Sequence, residues 1–207
     1  TTQMTAFQVV MGKLLSSLST LLLLILSGMP AVAMVFVYGG ITWLDAISLF
    51  LCYITVAFFA GSVGICFSAM LKRSTVSTVV TYGVMIAVAA GTYFINKFAL
   101  SLSAMSLNQT AVMYALGEKM ATPSSGGVFY LFLLNPAVTF FAIISRQTGS
   151  NSPMFEICGR FGMESSGFVM EHWIPISILL QLAVGVVLIV LAVLCVEPVK
   201  KRHKKRR

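Results

Sequence analysis

Two long apolar runs, joined by a pair of basic residues, leave this chain few ways to fold. Leu44 to Leu71 carries one charge, Asp45, at its start, and Ser74 to Asn96 carries none. At about 1.5 Å per helical residue, each run can cross a hydrocarbon core of about 30 Å. Lys72 and Arg73 lie between them, where a tight cytoplasmic turn is expected. Of the 207 residues 58% are hydrophobic and only 10% are charged, against about 25% charged in a soluble domain. The expected fold is all-α: a polytopic integral membrane helical bundle with a partly helical extracytoplasmic loop region.

Four spans are expected, at about 14–38, 44–71, 74–96 and 173–196. Residues 1–13 read as a cytoplasmic lead-in, and a start at Thr1 suggests a piece of a longer chain. Gly28-Met29-Pro30 interrupts the first span, because proline removes a backbone bond. Trp43 suits an interfacial belt, and Asp45 complements the dipole of the helix it opens.

The net charge of +8 is unevenly spread. Lys200, Lys201, Arg202, Lys204, Lys205, Arg206 and Arg207 all fall in the last eight positions, directly after an apolar run. A juxtamembrane basic cluster draws anionic lipid headgroups at about 1 kcal/mol per residue. The tail at 197–207 is therefore read as a cytoplasmic lipid-headgroup anchor, and nucleic acid is not expected as a partner.

Small residues recur at helical spacing. Ala57 and Gly61 fall four apart, with Ala60, Gly64 and Ser68 in a parallel row, and Gly83, Ala87 and Gly91 repeat the device in the next span. Such rows let helix backbones approach closely in lipid, so these positions are expected to be packing faces.

Residues 97–172 differ, with Ser-Ser-Gly-Gly at 124–127 and four of the six acids. Within them the apolar piece 128–144 is broken by Asn135-Pro136. A single crossing there would send the basic tail outside, against the positive-inside rule. A re-entrant or interfacial segment is the expected resolution; a second crossing hidden in 98–117 is the alternative. The resulting topology puts Lys13, Lys72, Arg73 and the tail inside. Asp45, Glu118, Glu156, Glu164 and Glu171 lie outside with Lys97, Lys119, Arg146 and Arg160.

Chemistry is sparse. Cys52, Cys66 and Cys195 fall in apolar spans and Cys158 alone in a polar loop, without metal or redox spacing. His172, beside Glu171, reads as structural or as a headgroup contact, and His203 lies in the tail. There is no Gly-x-x-x-x-Gly-Lys-Ser/Thr loop to cradle a nucleotide's phosphates. No cofactor, metal or catalytic residue is expected, and the chain does not read as an enzyme.

Three stretches carry a resemblance. TTQMTAFQVVMGKLLSSL runs into an apolar span with proline and then Tyr-Gly-Gly-Ile. GSVGICFSAMLKRSTVSTVVTYG and LLNPAVTFF follow. Together they resemble permease subunits of type-2 ABC transporters, the exporter class, over nearly the whole chain. The resemblance implies a multi-pass subunit of the bacterial cytoplasmic membrane, a second permease subunit and a separate ATPase. It also implies that the first two of six spans are missing from this chain. Thr5, Phe7, Gly12, Lys13, Lys72 and Arg73 would be the positions nearest the ATPase. A non-transporting scaffold or sensor, with 97–172 binding a ligand or partner, is the alternative from another class; a membrane-embedded enzyme is the weakest reading.

Overall fold

The computed structural model describes residues 5–39, 42–71, 73–111, 122–147, 154–163 and 167–196, which contain helices and no strand. The basic tail, Lys72, Glu118, Lys119, Glu164 and His203 lie outside the described residues. In chain order the helices are α1 (Ala6–Ser27), α2 (Met29–Val37), α3 (Trp43–Met70) and α4 (Ser74–Ala111), a 3-10 segment (Gly126–Leu134), then α5 (Pro136–Gln147), α6 (Phe155–Arg160), α7 (Phe168–Glu171) and α8 (Trp173–Val196). Four helical stretches are long and apolar enough to cross a membrane: Phe7–Val37, Trp43–Met70, Ser74–Leu107 and Trp173–Val196.

Local chemistry sets the helix ends. Thr5 and Gln8 form a capping box: the Gln8 amide donates to Thr5 Oγ1 at 3.4 Å, and the Thr5 amide donates to Gln8 Oε1 at 3.0 Å. The helix therefore begins at Ala6 rather than Leu14, and much of the expected lead-in is its first two turns. The break falls at Gly28, and α2 resumes with Pro30 in its first turn, where the missing N–H has no partner to lose. Thr42 and Asp45 form a second capping box at the start of α3. The expected third span also grows. Helix α4 continues unbroken from Ser74 past Asn96 to Ala111, so residues 98–111 extend it and leave no turn for a separate crossing to begin there.

Contacts divide the chain into two compact units. The first contains α1–α3, α4 up to Met85, and α8 from Ile178 onward. Its core joins the start of α1 (Val10, Leu14), the end of α3 (Ile65, Cys66) and the end of α8 (Ile189, Ala192). Helix α1 thus runs antiparallel to α3, and α8 parallel to it. Lys13 donates to Ser68 Oγ at 3.2 Å across the α1–α3 contact. Within α3 the hydroxyls of Thr55 and Ser62 return to the carbonyls of Leu51 and Phe59 at 2.8 and 2.7 Å, so neither asks for an outside partner.

The glycine with the closest neighbours in the first unit is one the spacing argument passed over. A Cβ at Gly185 of α8 would lie 2.7 Å from Phe58 Cε1 and 3.2 Å from Ser62 Oγ of α3. At Gly61, Gly83 and Gly91 a Cβ would meet nothing within 4 Å, and at Gly64 only Thr81 Cγ2 at 3.7 Å. Ala57 and Ala60 are half-buried, while Ser68 and Ala87 are exposed. Among the described residues, no contact within the chain requires glycine at positions 61, 64, 83 or 91.

Gly185→Leu is therefore expected to destabilise the protein by about 1–3 kcal/mol, the range for overpacking. Gly61→Leu should stay within about 0.5 kcal/mol, as at sites without such contacts. Unfolding in detergent micelles reads both, and equal losses would contradict the assignment.

Candidate functional site

The second unit, Ile86–Ser177, holds a place where sequence, backbone and buried polar groups meet. The 3-10 segment and α5 are bent by 93° at Asn135. Neither helix alone is long enough to cross a membrane; together they are, as a broken span or a re-entrant loop. The bend follows from the sequence. Asparagine is a strong N-cap, and the proline after it fixes the first helical residue and cannot continue the preceding ladder.

A break in an apolar setting exposes backbone groups that need partners. Here side chains supply them. Asn135 Oδ1 accepts from the Ala137 amide at 2.9 Å, capping α5. Its Nδ2 donates to Ala89 O at 3.0 Å and to Thr92 Oγ1 at 2.7 Å, tying the bend to α4. Thr92 in turn donates to Val88 O at 2.8 Å. On the other side Ser177 Oγ donates to Leu133 O at 2.8 Å, and Thr139 Oγ1 lies at hydrogen-bond distance from Ser177 Oγ. Thr139 also reaches Asn135 O at 3.2 Å. Asn135, Thr139 and Ser177 are almost wholly shielded, and Thr92 nearly so. One asparagine thus caps α5 and pins the bend to α4, while a serine from the second turn of α8 takes up a carbonyl at the end of the 3-10 segment.

Asn96 lies one turn beyond Thr92 on α4. Its Nδ2 donates to Thr92 O at 3.0 Å, and its Oδ1 is buried without a hydrogen-bond partner among the described residues. Beside the polar seam lies an aromatic cluster. Phe129 packs edge-on against Phe132, Phe161 and Trp173, with ring centroids 5.5, 6.2 and 5.6 Å apart, and Tyr93 meets Phe161 at 5.9 Å. Such pairs add about 0.5–1.5 kcal/mol each beyond burial.

The segment before α8 is more built than its composition implied. Cys158, expected alone in a polar loop, is buried on α6, with Sγ 3.8 Å from Met170 Sδ. Helix α6 ends in a Schellman turn, where the Met163 amide donates to Cys158 O at 2.9 Å and Gly162 has φ +63°. Pro123 O would lie 1.9 Å from a Cβ at Gly162, so this position admits glycine alone. His172 stacks on Phe168 at 4.7 Å and is held by Phe168 O, a structural arrangement.

The expected ATPase-facing positions that can be described sit at or beside helix starts. Thr5 caps α1, Phe7 and Gly12 are exposed on its first turns, and Arg73 is exposed just before α4. Lys13 turns to Ser68. Among the described residues no three His, Cys, Asp or Glu side chains could share a metal ion. Sequence reasoning noted Asn135-Pro136 as a breaker but missed Thr92, Thr139 and Ser177, since serine and threonine at ordinary helical positions carry no signal of a partner 40 residues away. No family model matches the chain, and neither the curated proteins nor the solved structures yield a match.

Asn135→Ala should cost about 2–4 kcal/mol, combining a lost cap with buried hydrogen bonds left unmade. Asn135→Ser, which keeps a capping oxygen, should recover part of that. Thermal unfolding in detergent checks the order, and an Asn135→Ala variant as stable as the parent would remove the seam's structural role.

Burial pushes the Cys158 thiol up to about 11. At neutral pH its thiolate fraction is then about 100-fold below that of an ordinary cysteine. Maleimide labelling should be slow at pH 7.5 and accelerate as pH approaches 10–11, whereas a cysteine at exposed Glu156 on the same helix reacts readily. Because the raised value favours the neutral thiol, its contribution to stability is present at neutral pH and lost as pH climbs through that window.

Proposed function

We propose that this chain is a transmembrane permease subunit of an ATP-driven ABC exporter of the bacterial cytoplasmic membrane, working with a second permease subunit and a separate ATPase. The observation that carries the reading is the broken apolar hairpin at 126–147, whose break is satisfied by side chains of α4 and α8. Irregular backbone held among apolar helices is a device of transport proteins. A helix bundle that only anchors or scaffolds has no need of it.

The orientation rests on the first unit. The start of α1 and the ends of α3 and α8 share one core, with Lys13 at that end, and the positive-inside rule makes that end cytoplasmic. The hairpin then enters and returns, the arrangement that keeps the tail in the cytoplasm. The exposed first turns of α1, with Phe7 and Gly12, and Arg73 before α4 form the face offered to the ATPase. ATP-driven closure of the ATPase would press on these ends and tilt α1 against α3.

The complete protein, purified from its native membrane, should bring an ATP-binding partner with it. Phe7→Asp should weaken that association about tenfold, the ratio for ~1.4 kcal/mol at an interface anchor. A subunit that purifies alone, without ATP hydrolysis on reconstitution, would support the scaffold reading instead.

A further inference from the structure

Helices α1 and α3 pack closely where Lys13 meets Ser68, and along their length they frame an apolar cavity of about 340 Å³. Leu15, Leu18, Leu22 and Ile25 line it from α1, and Ile54 and Ala57 from α3; its one hydroxyl wall is Ser19. We propose that this groove binds one acyl chain of an anionic glycerophospholipid from the cytoplasmic leaflet, with the headgroup phosphate at Lys13.

Three observations converge on that occupant. The first is the lining. Over the ten helical steps from Leu15 to Ile25, about 15 Å, it is apolar but for Ser19, which suits a hydrocarbon chain. The second is length. Lys13 to Ile25 is twelve steps, about 18 Å, close to the ~15 Å depth of one leaflet of a 30 Å core. The third is charge. The Lys13 ammonium uses one donor on Ser68 Oγ, no described carboxylate pairs with it, and two donors are left for a phosphate. A zwitterionic lipid offers the same chain but less net charge, so the site is selective through its headgroup end.

The site would join two helices that the first unit otherwise holds together at one end, so an occupied groove would stiffen α1 against α3. This inference needs only the membrane reading and not the ATPase, so its failure leaves the permease proposal standing.

The test is native mass spectrometry of the complete protein, released from micelles doped with dioleoyl phosphatidylglycerol or dioleoyl phosphatidylcholine. The parent should retain one phosphatidylglycerol, about fivefold in preference to phosphatidylcholine, the effect of one basic residue near a headgroup. Lys13→Gln should abolish the preference and Lys13→Arg should keep it. Leu22→Trp, which fills the groove, should remove both lipids, and Ala57→Phe provides the same block from the opposite wall if the first variant unfolds. Equal retention of the two lipids by the parent, or retention unchanged in Lys13→Gln and in both filling variants, would overturn the proposal. So would a filling variant that loses a dimer while keeping its lipid, since the groove would then hold a second copy of the chain.

Discussion

The bend at Asn135 depends on one constraint: backbone groups released by a broken ladder must find partners when no water is at hand. Proline at 136 makes the break unavoidable, and a single asparagine before it resolves most of the consequences. Its carbonyl oxygen caps the helix that follows, and its amide reaches Ala89 and Thr92 on α4. Ser177 at the start of α8 takes the carbonyl of Leu133 on the far side of the break. Each of these bonds is worth about 1 kcal/mol net, but leaving a buried group unmatched costs about 1–3 kcal/mol. The seam is thus better understood as avoided penalty than as added attraction, and α4 and the start of α8 are tied to the bend because they carry the groups that avoid it.

The first unit is held differently. Its core is a convergence of three helix ends, with the Thr55 and Ser62 hydroxyls bonded to carbonyls one turn back and a tight crossing where Phe58 and Ser62 rest on the bare backbone of Gly185. That geometry leaves α1 and α3 joined near Lys13 and open farther along.

Much of this was legible in the residues. The apolar runs around Lys72-Arg73 mark two of the four membrane-length helices, and Asn135-Pro136 marks the bend, because both signals are local. Boundaries were less legible. Thr5 and Gln8 carry a capping box that moves the first helix eight residues earlier than the apolar pattern implies. Helix α4 outruns its apolar stretch because neither glycine nor proline follows Asn96 until residue 117. The small-residue rows do not mark the tightest crossing within the first unit. Spacing on one helix cannot say which face meets a neighbour, and the glycine that does, Gly185, stands alone in a run of valine and leucine. The partners of Asn135 were invisible for a related reason: their roles exist only once the chain has brought residues 92, 135 and 177 into one fold.

The central claim is that the hairpin enters and returns on one side. It is tested most directly by placing single cysteines at exposed Gly127 and Arg146 in a cysteine-free background, with one at exposed Ser74 as the cytoplasmic reference. An impermeant maleimide applied to intact cells should label positions 127 and 146 and spare position 74. Labelling of 127 with protection of 146 would mean that the segment crosses, and would contradict the account.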